Sequence, residues 1–519
     1  MNSKNVIYSF MLLMGCAVQA QLHDSISVTK NTYYQNSYSE LEVNPLFSSG
    51  LKLNNFTQTQ VDYQTKQLNF KRVQTAEKIN NYRFSSRGVY NYDSKTRVFG
   101  SFDFVKQEEE GLGFNFSSQR TEDQMVLAPN YFYAPKKGNW DNQYYNIKGG
   151  FAYTFDNNIS IGAVINYKNG KNYRKIDPRP QITQHKIGGV GFIGYKFRNH
   201  SLVLNGGLER ERETSDITYV DKYQNAPVYE ETYTKFSTGY GRILFNPSYT
   251  KYLQQGLDKK SGIGYQYQDK KQLFNVSYAY SHYLNDFYVK DGNSEVFFDS
   301  KNIAYKYRIL SHEVVGSYKY DGEQLDFKAD LGFKTSQTDN FSVIENGQNY
   351  RGTTDQLTFN AGVIKNRGDK TLYAIEMGAV YSENKFIDLL AYTNKSVNYL
   401  DVHASVNADV LHNAKNKINI KLGLSNYVAL KENLIFSSTT SNTTFADRVI
   451  FQDHAFDVTT KMAASAHVNY DVKLNKNKNL RLFADYQTLM ATGHQYETYY
   501  KDLNTKVNQN INFGIAIIY

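Results

Sequence analysis

Most of the chain alternates apolar and polar side chains with a period of two, the mark of a strand whose two faces meet different surroundings. Over 400–411, Leu400, Val402, Ala404, Val406, Ala408 and Val410 share one face, and Asp401, His403, Ser405, Asn407 and Asp409 share the other. Over 462–474, Met462, Ala464, Ala466, Val468, Tyr470, Val472 and Leu474 oppose Ser465, His467, Asn469, Asp471 and Lys473. Leu325, Phe327, Ala329, Leu331 and Phe333 oppose Asp326, Lys328, Asp330 and Lys334 in the same way. Such runs reach about a dozen residues, where a soluble strand averages ~5–6. The pattern predicts an all-β fold, a transmembrane antiparallel β-barrel apolar toward lipid and polar toward its lumen. Closure would pair every backbone group where there is no water.

The breaks between runs predict the topology. Short polar turns fall at Asp93–Thr96, Asp156–Asn158, Arg198–His200, Asp269–Lys271, Asp321–Gly322, Asn366–Lys370, His412–Asn416 and Asn475–Asn479, with the Asn/Asp/Gly content of hairpin turns. Longer connections lie near 108–142, 172–183, 213–256, 290–302, 338–350, 386–394, 431–454 and 493–506. Short turns on one side and long loops on the other match an outer-membrane barrel with periplasmic turns and extracellular loops. Pro129, Pro135, Pro178, Pro180, Pro227 and Pro247 are expected in the loops and Pro45 ahead of the first strand, since proline costs a strand a ladder bond. Eight turns with both termini on the turn side give about 18 strands. The first pair, near 56–73 and 81–92, and a strand-like stretch at Tyr233–Phe245 leave a range of 16 to 20. The barrel would occupy 51–519, after a periplasmic arm or small stopper at 21–50.

Both ends of the chain point to the outer membrane. Lys4, the apolar Val6–Met14 and the small-residue site Val18-Gln19-Ala20 make residues 1–20 a signal peptide. Leu13-Met14-Gly15-Cys16 is the competing lipobox reading; with ordinary cleavage, the lone cysteine leaves with the signal. At the other end Ile511, Phe513, Ile515, Ile517 and Tyr519 alternate up to a terminal aromatic. This resembles the signal by which the barrel-assembly machinery recognises its clients, and a soluble domain rarely leaves so apolar an edge open.

Composition narrows the classes further. Of 519 residues 40% are hydrophobic and 15% aromatic, with 45 Tyr, which excludes disorder. After residue 20 no apolar run approaches the ~18 residues of a membrane helix. The formal charge of +9 is spread along the chain without a block of five like charges, so nucleic acid is not an expected partner. The mature length leaves no room for the plug of a TonB-dependent receptor, whose barrels have 22 strands.

Chemistry-bearing residues are sparse. Asp401, His403 and Asp409, with His467 and Asp471 on a neighbouring strand, are lumen-facing candidates for a metal or acid–base cluster; the plainer reading is polar groups that bond one another and water. Glu108-Glu109-Glu110 would open the first very long loop and could draw cations to the mouth. Glu209 to Glu213 alternates in sign through Arg210 and Arg212, a ladder expected above the membrane facing water. No Gly-x-Ser-x-Gly or His-Glu-x-x-His motif occurs. The reading is therefore a non-enzyme without cofactors: a channel or transport-accessory barrel with a polar, mixed-charge lumen. The alternative is a scaffold whose loops bind a surface partner, and a barrel-embedded hydrolase is a distant third.

The segment Asn55–Tyr92, the loop end Lys137-Gly138-Asn139-Trp140, the stretch Gln143–Tyr153 and the Tyr- and Asn-rich composition resemble a family of Bacteroidota outer-membrane barrels designated a domain of unknown function. The resemblance spans nearly the whole mature chain. It implies an outer-membrane barrel found alongside surface lipoproteins and TonB-dependent receptors, and it supplies no catalytic residues.

Overall fold

The computed structural model describes residues 41–47, 55–244, 249–291, 303–322, 325–343, 345–367, 370–438, 442–475, 477–493 and 507–519. Eighteen long strands form one closed antiparallel sheet in which each pairs with its neighbours in sequence. The last, Val507–Ile518, pairs with the first, Phe56–Gln67, and sets Tyr63 opposite Phe513. Strands run from 12 to 20 residues. All eight short turns connect strands at one end, where the described chain also enters and leaves. Their sequence explains them: the side chain of Asp93 accepts from the backbone N–H of Lys95 and Thr96, and Asp269 and Asn413 do the same two and three residues on. This is the local bond that makes Asp and Asn turn residues.

Period two sorts the wall into two faces. Ile165, Ile187, Leu204, Leu331, Leu422 and Phe513 are exposed on the outside. At the turn-side edge of this belt Tyr92, Phe155, Tyr195, Phe197 and Tyr519 are exposed as well, the placement of an aromatic girdle. The five apolar positions of the last strand lie on this outer face, Ile511, Phe513, Ile515 and Tyr519 each exposed.

Strands extend further than the hydropathy suggested, so the loops are narrower. Strands Thr96–Leu112 and Gly138–Thr154 reduce the first very long loop to 113–137, and Glu108 to Glu110 stand on a strand. His200–Thr218 and Tyr249–Gln268 reduce the next to 219–248. Pro180 is the second residue of strand Arg179–Phe197 rather than a loop residue, a position near a strand start that proline tolerates. Tyr233–Phe245 adds nothing to the barrel; Lys235–Thr238 and Ile243–Leu244 join Asn130–Tyr133 in a separate small sheet. The signal peptide, most of 21–50, Pro247 and most of the connections at 290–302 and 493–506 lie outside the described residues.

Candidate functional site

The lumen is closed at the loop end by the loops themselves. Residues 113–137 and 219–248 fold inward and pair through Asn130–Tyr133 and Lys235–Thr238, with Phe132 opposite Phe236. Both rings pack against wall aromatics: Phe132 at 5.8 Å from Tyr252, and Phe236 at 5.3 Å from Phe287 and 5.4 Å from Tyr305. Polar anchors fix the same loops. Glu109 of the wall, buried, receives both Arg120 Nε and Nη2 at 2.9 and 2.8 Å, the two-pronged pairing that suits arginine to carboxylate. Asp388 accepts from the backbone N–H of Tyr240 and Arg242 at 2.7 and 3.1 Å. The glutamate run read as a cation-attracting mouth is thus a strand end whose middle member ties down a loop.

A third loop adds the short helix Phe451–Val458. It follows a turn of helix capped by Asn442, whose side chain accepts from Phe445 N, and Phe445, Ala446, Val449 and Ile450 bury its inner face. Asp457, fully buried, takes Arg72 at 2.6 Å and Lys395 at 2.5 Å. Burial raises the affinity of Asp457 for a proton, but the two cations outweigh it and hold its pKa below the ordinary range. Asp453, one turn earlier, accepts from Val73 N; burial pushes its pKa up to about 6 despite Lys395.

Asp453 therefore works against docking once ionised. Its contribution is fully favourable below the unfolded value near 3.8 and is lost as pH rises through about 6. Asp453→Asn keeps the acceptor and removes the charge. The variant's helix amides are expected to gain protection against hydrogen exchange over wild type between pH 4 and 7, by on the order of 2 kcal/mol. The difference between the two proteins isolates Asp453, because burial depresses His454 and makes it titrate in the opposite sense over this span. A difference that stays flat with pH would refute the assignment.

At the turn end, residues 41–47 lie inside the wall. Leu41 and Leu46 are buried with Phe56, Val89, Phe99, Val164, Phe192 and Val203, and the carbonyl of Phe47 accepts from Gln266. Glycines make the room: a Cβ on Gly194 would stand 3.1 Å from Leu46, and one on Gly264 would stand 2.6 Å from Phe47. Among the atoms within reach of that Cβ only Phe47 appears, so Gly264→Val should dislodge the segment without straining the wall. A cysteine at Leu46, buried in the native barrel, is expected to react slowly with maleimide and to become reactive in the Gly264→Val background. Equal reactivity in both would show that the glycine does not seat the segment.

Between the two closures is a chamber of about 430 Å³, within the range of small-molecule pockets (~300–1,000 Å³). Gln58, Gln60, Arg83, Arg87, Asp103, Asn407, Asn419, Lys421, His467, Asn469, Arg481, Asp485 and Asn512 line it, and Glu42 of the N-terminal segment reaches in; Phe483 is its sole apolar lining residue. The charges are mixed and paired: Arg83 with Asp103, Lys421 with Glu376, and Glu42 with Lys148.

The five residues singled out from the sequence share the inner face but not one site. His467 lines the chamber, bonded to Asp485, and accepts at Nε2 from Asn469 at 2.6 Å. With both ring nitrogens engaged, it holds the wall together and has none left to act as a base. Asp409 is tied to Lys417 at 3.2 Å and Asp471 to Arg481 at 2.6 Å. His403 bonds Asn360, and Asp401 stands two residues nearer the loop end on the same strand; neither lines the chamber. No three of the described His, Cys, Asp and Glu residues gather as a metal site. The ladder at 209–213 is also not one water-facing row. Period two places Glu209, Glu211 and Glu213 on the inner face, with Glu209 2.9 Å from Lys186 and Glu213 bonded by Tyr252, while Arg210 and Arg212 are exposed on the outer face.

No curated protein matches this chain. Among solved structures, the siderophore receptor PiuA from Acinetobacter baumannii is similar at 9% identity over 90% of this chain and 82% of that one, with a TM-score of 0.40. The FrpB iron transporter from Neisseria meningitidis is similar at 7% identity over 91% and 82%, TM-score 0.44, and the alcaligin receptor FauA from Bordetella pertussis at 8% over 90% and 76%, TM-score 0.42. These likenesses are remote, and the barrel architecture rests on the closed strand ladder itself. The model of a family of unknown function (DUF6850) matches residues 45–519.

Proposed function

The chain belongs to the family of unknown function DUF6850, and from that premise we propose that it is an outer-membrane barrel serving as a gated passage, or as the passage component of a transport assembly, for small polar solutes. The chamber carries this reading: a mixed-charge space in the middle of the lumen, shut on one side by three loops and on the other by residues 41–47. A wall of 18 strands is wide enough for an aqueous channel when nothing fills it. Packing of the loops to full burial argues for a closed resting state over an open porin. The export signal, the terminal strand Ile511–Tyr519 that suits the barrel-assembly machinery, and the apolar belt that suits outer-membrane lipid support the location. Planar-bilayer recording tests the proposal: intact barrel without steps, barrel relieved of both closures conducting. Silence in both forms would overturn it.

One observation favours a second reading, a surface scaffold. Val220, Tyr223 and Val228 in one loop and Leu389, Leu390 and Tyr392 in another are exposed beyond the wall, as apolar contacts for a surface lipoprotein or a TonB-dependent receptor would be. Crosslinking in the native membrane addresses it, and recovery of no stable partner would sink it.

A further inference from the structure

Two arginines stand where the membrane reading makes charge expensive. On the outer face of strand His200–Thr218, Leu202, Leu204 and Leu208 belong to the apolar belt, and Arg210 and Arg212 follow directly on its loop side. Arg210 is flanked on the two neighbouring strands by Ile187 and Leu257, and Arg212 by His185 and Gln255. One strand on, Lys259 lies between Leu208 and His282. Arg210, Arg212, Lys259 and His185 are all exposed. Like charges directly opposite or diagonal across a sheet repel, and the acids next in sequence cannot relieve them, because Glu209, Glu211 and Glu213 are on the far side of the wall. The outward carboxylate of that strand, Asp216, is taken by Lys251 at 3.0 Å. Four basic groups thus line one edge of the apolar belt at headgroup depth, with hydroxyl and amide groups of Tyr167 and Asn169 beside His185.

We propose that this edge of the outer wall binds the phosphate of an anionic lipid headgroup in the leaflet facing the loops, with Arg210, Arg212 and Lys259 as its main ligands. The inference rests on the membrane-embedded reading above. A headgroup phosphate supplies the missing countercharge, guanidinium groups match its oxygens in pairs, and the acyl chains lie against the adjoining Ile187, Leu208 and Leu257. Each basic group near a lipid surface strengthens attraction about fivefold, so three together select an anionic lipid by on the order of a hundredfold.

The test uses the full barrel in nanodiscs of zwitterionic lipid containing a minor fraction of a diacyl lipid with a phosphate-monoester headgroup, with retained lipids counted by native mass spectrometry. Wild type is expected to retain the phosphate lipid preferentially, and Arg210→Gln/Arg212→Gln/Lys259→Gln to fall to the zwitterionic level. Lys306→Gln, outward on a more distant strand, should leave retention unchanged. Insertion without preference in wild type overturns the site while sparing the membrane reading. Displacement by millimolar inorganic phosphate overturns it in favour of a free-anion site. A chain that does not enter discs overturns the membrane reading and this site with it.

Discussion

Replacing Asp457 with alanine is expected to release the helix Phe451–Val458 from the barrel. The substitution leaves Lys395, whose side chain is 0% exposed, and Arg72 without the carboxylate they share, in a pocket where Lys461 already lies 3.7 Å from the Tyr427 ring and 4.3 Å from that of Phe456. Breaking a buried pair by removing one partner costs about 3–5 kcal/mol, because the remaining charge cannot be rehydrated. Hydrogen-exchange protection of the helix should fall by roughly a hundredfold or more, and limited proteolysis should open 436–460. Lys395→Met/Asp457→Leu provides the control, since replacing both partners with apolar groups of similar size is often nearly neutral. Loss confined to the single variant ties docking to the ion pair. Equal loss in both would instead mean that shape alone holds the helix.

The second large effect concerns conduction. Replacing 220–247 by a short turn removes both small strands that Asn130–Tyr133 pairs with and strips Tyr252, Phe287 and Tyr305 of their cover. The wall keeps its ladder, because strands His200–Thr218 and Tyr249–Gln268 pair with each other along their length. Single-channel steps are expected only when Gly264→Val is added, since residues 41–47 still close the turn end in the loop variant. Full conductance from the loop variant alone would show that the N-terminal segment is no barrier.

What could be read in the sequence follows from where alternation has a cause. Lipid on one side and water on the other impose period two, so the strands, the eight turns and the outer face of Ile511–Tyr519 were legible. The closing loops face neither medium. Phe114, Phe116, Phe132, Tyr133 and Phe236 pack against the inside of the wall, and nothing there enforces a period; the signal that could have found them is the density of aromatics in segments expected to be solvated. The helix was also readable, from Phe445, Val449 and Ala446, Ile450 at helical spacing behind Asn442. The ladder at 209–213 was misplaced because its signs were followed along the chain instead of by face. Of the five inner-face candidates, the sequence located the face, but pairing with Lys417, Arg481 and Asp485 depends on strand register, which alternation alone does not fix.

The bonds that shut the lumen link remote parts of the chain. Arg72 reaches Asp457 across 385 positions, and Asn349 reaches Thr238 across 111. Such contacts form late, since closing long spans of chain costs entropy before any contact rewards it. A nascent barrel must therefore pass through a stage with its sheet nearly complete and its interior still unsealed, so the order of biogenesis would place sealing after insertion. Variants that weaken the seal would then be assembled normally and betray themselves afterwards, as a leak in the envelope.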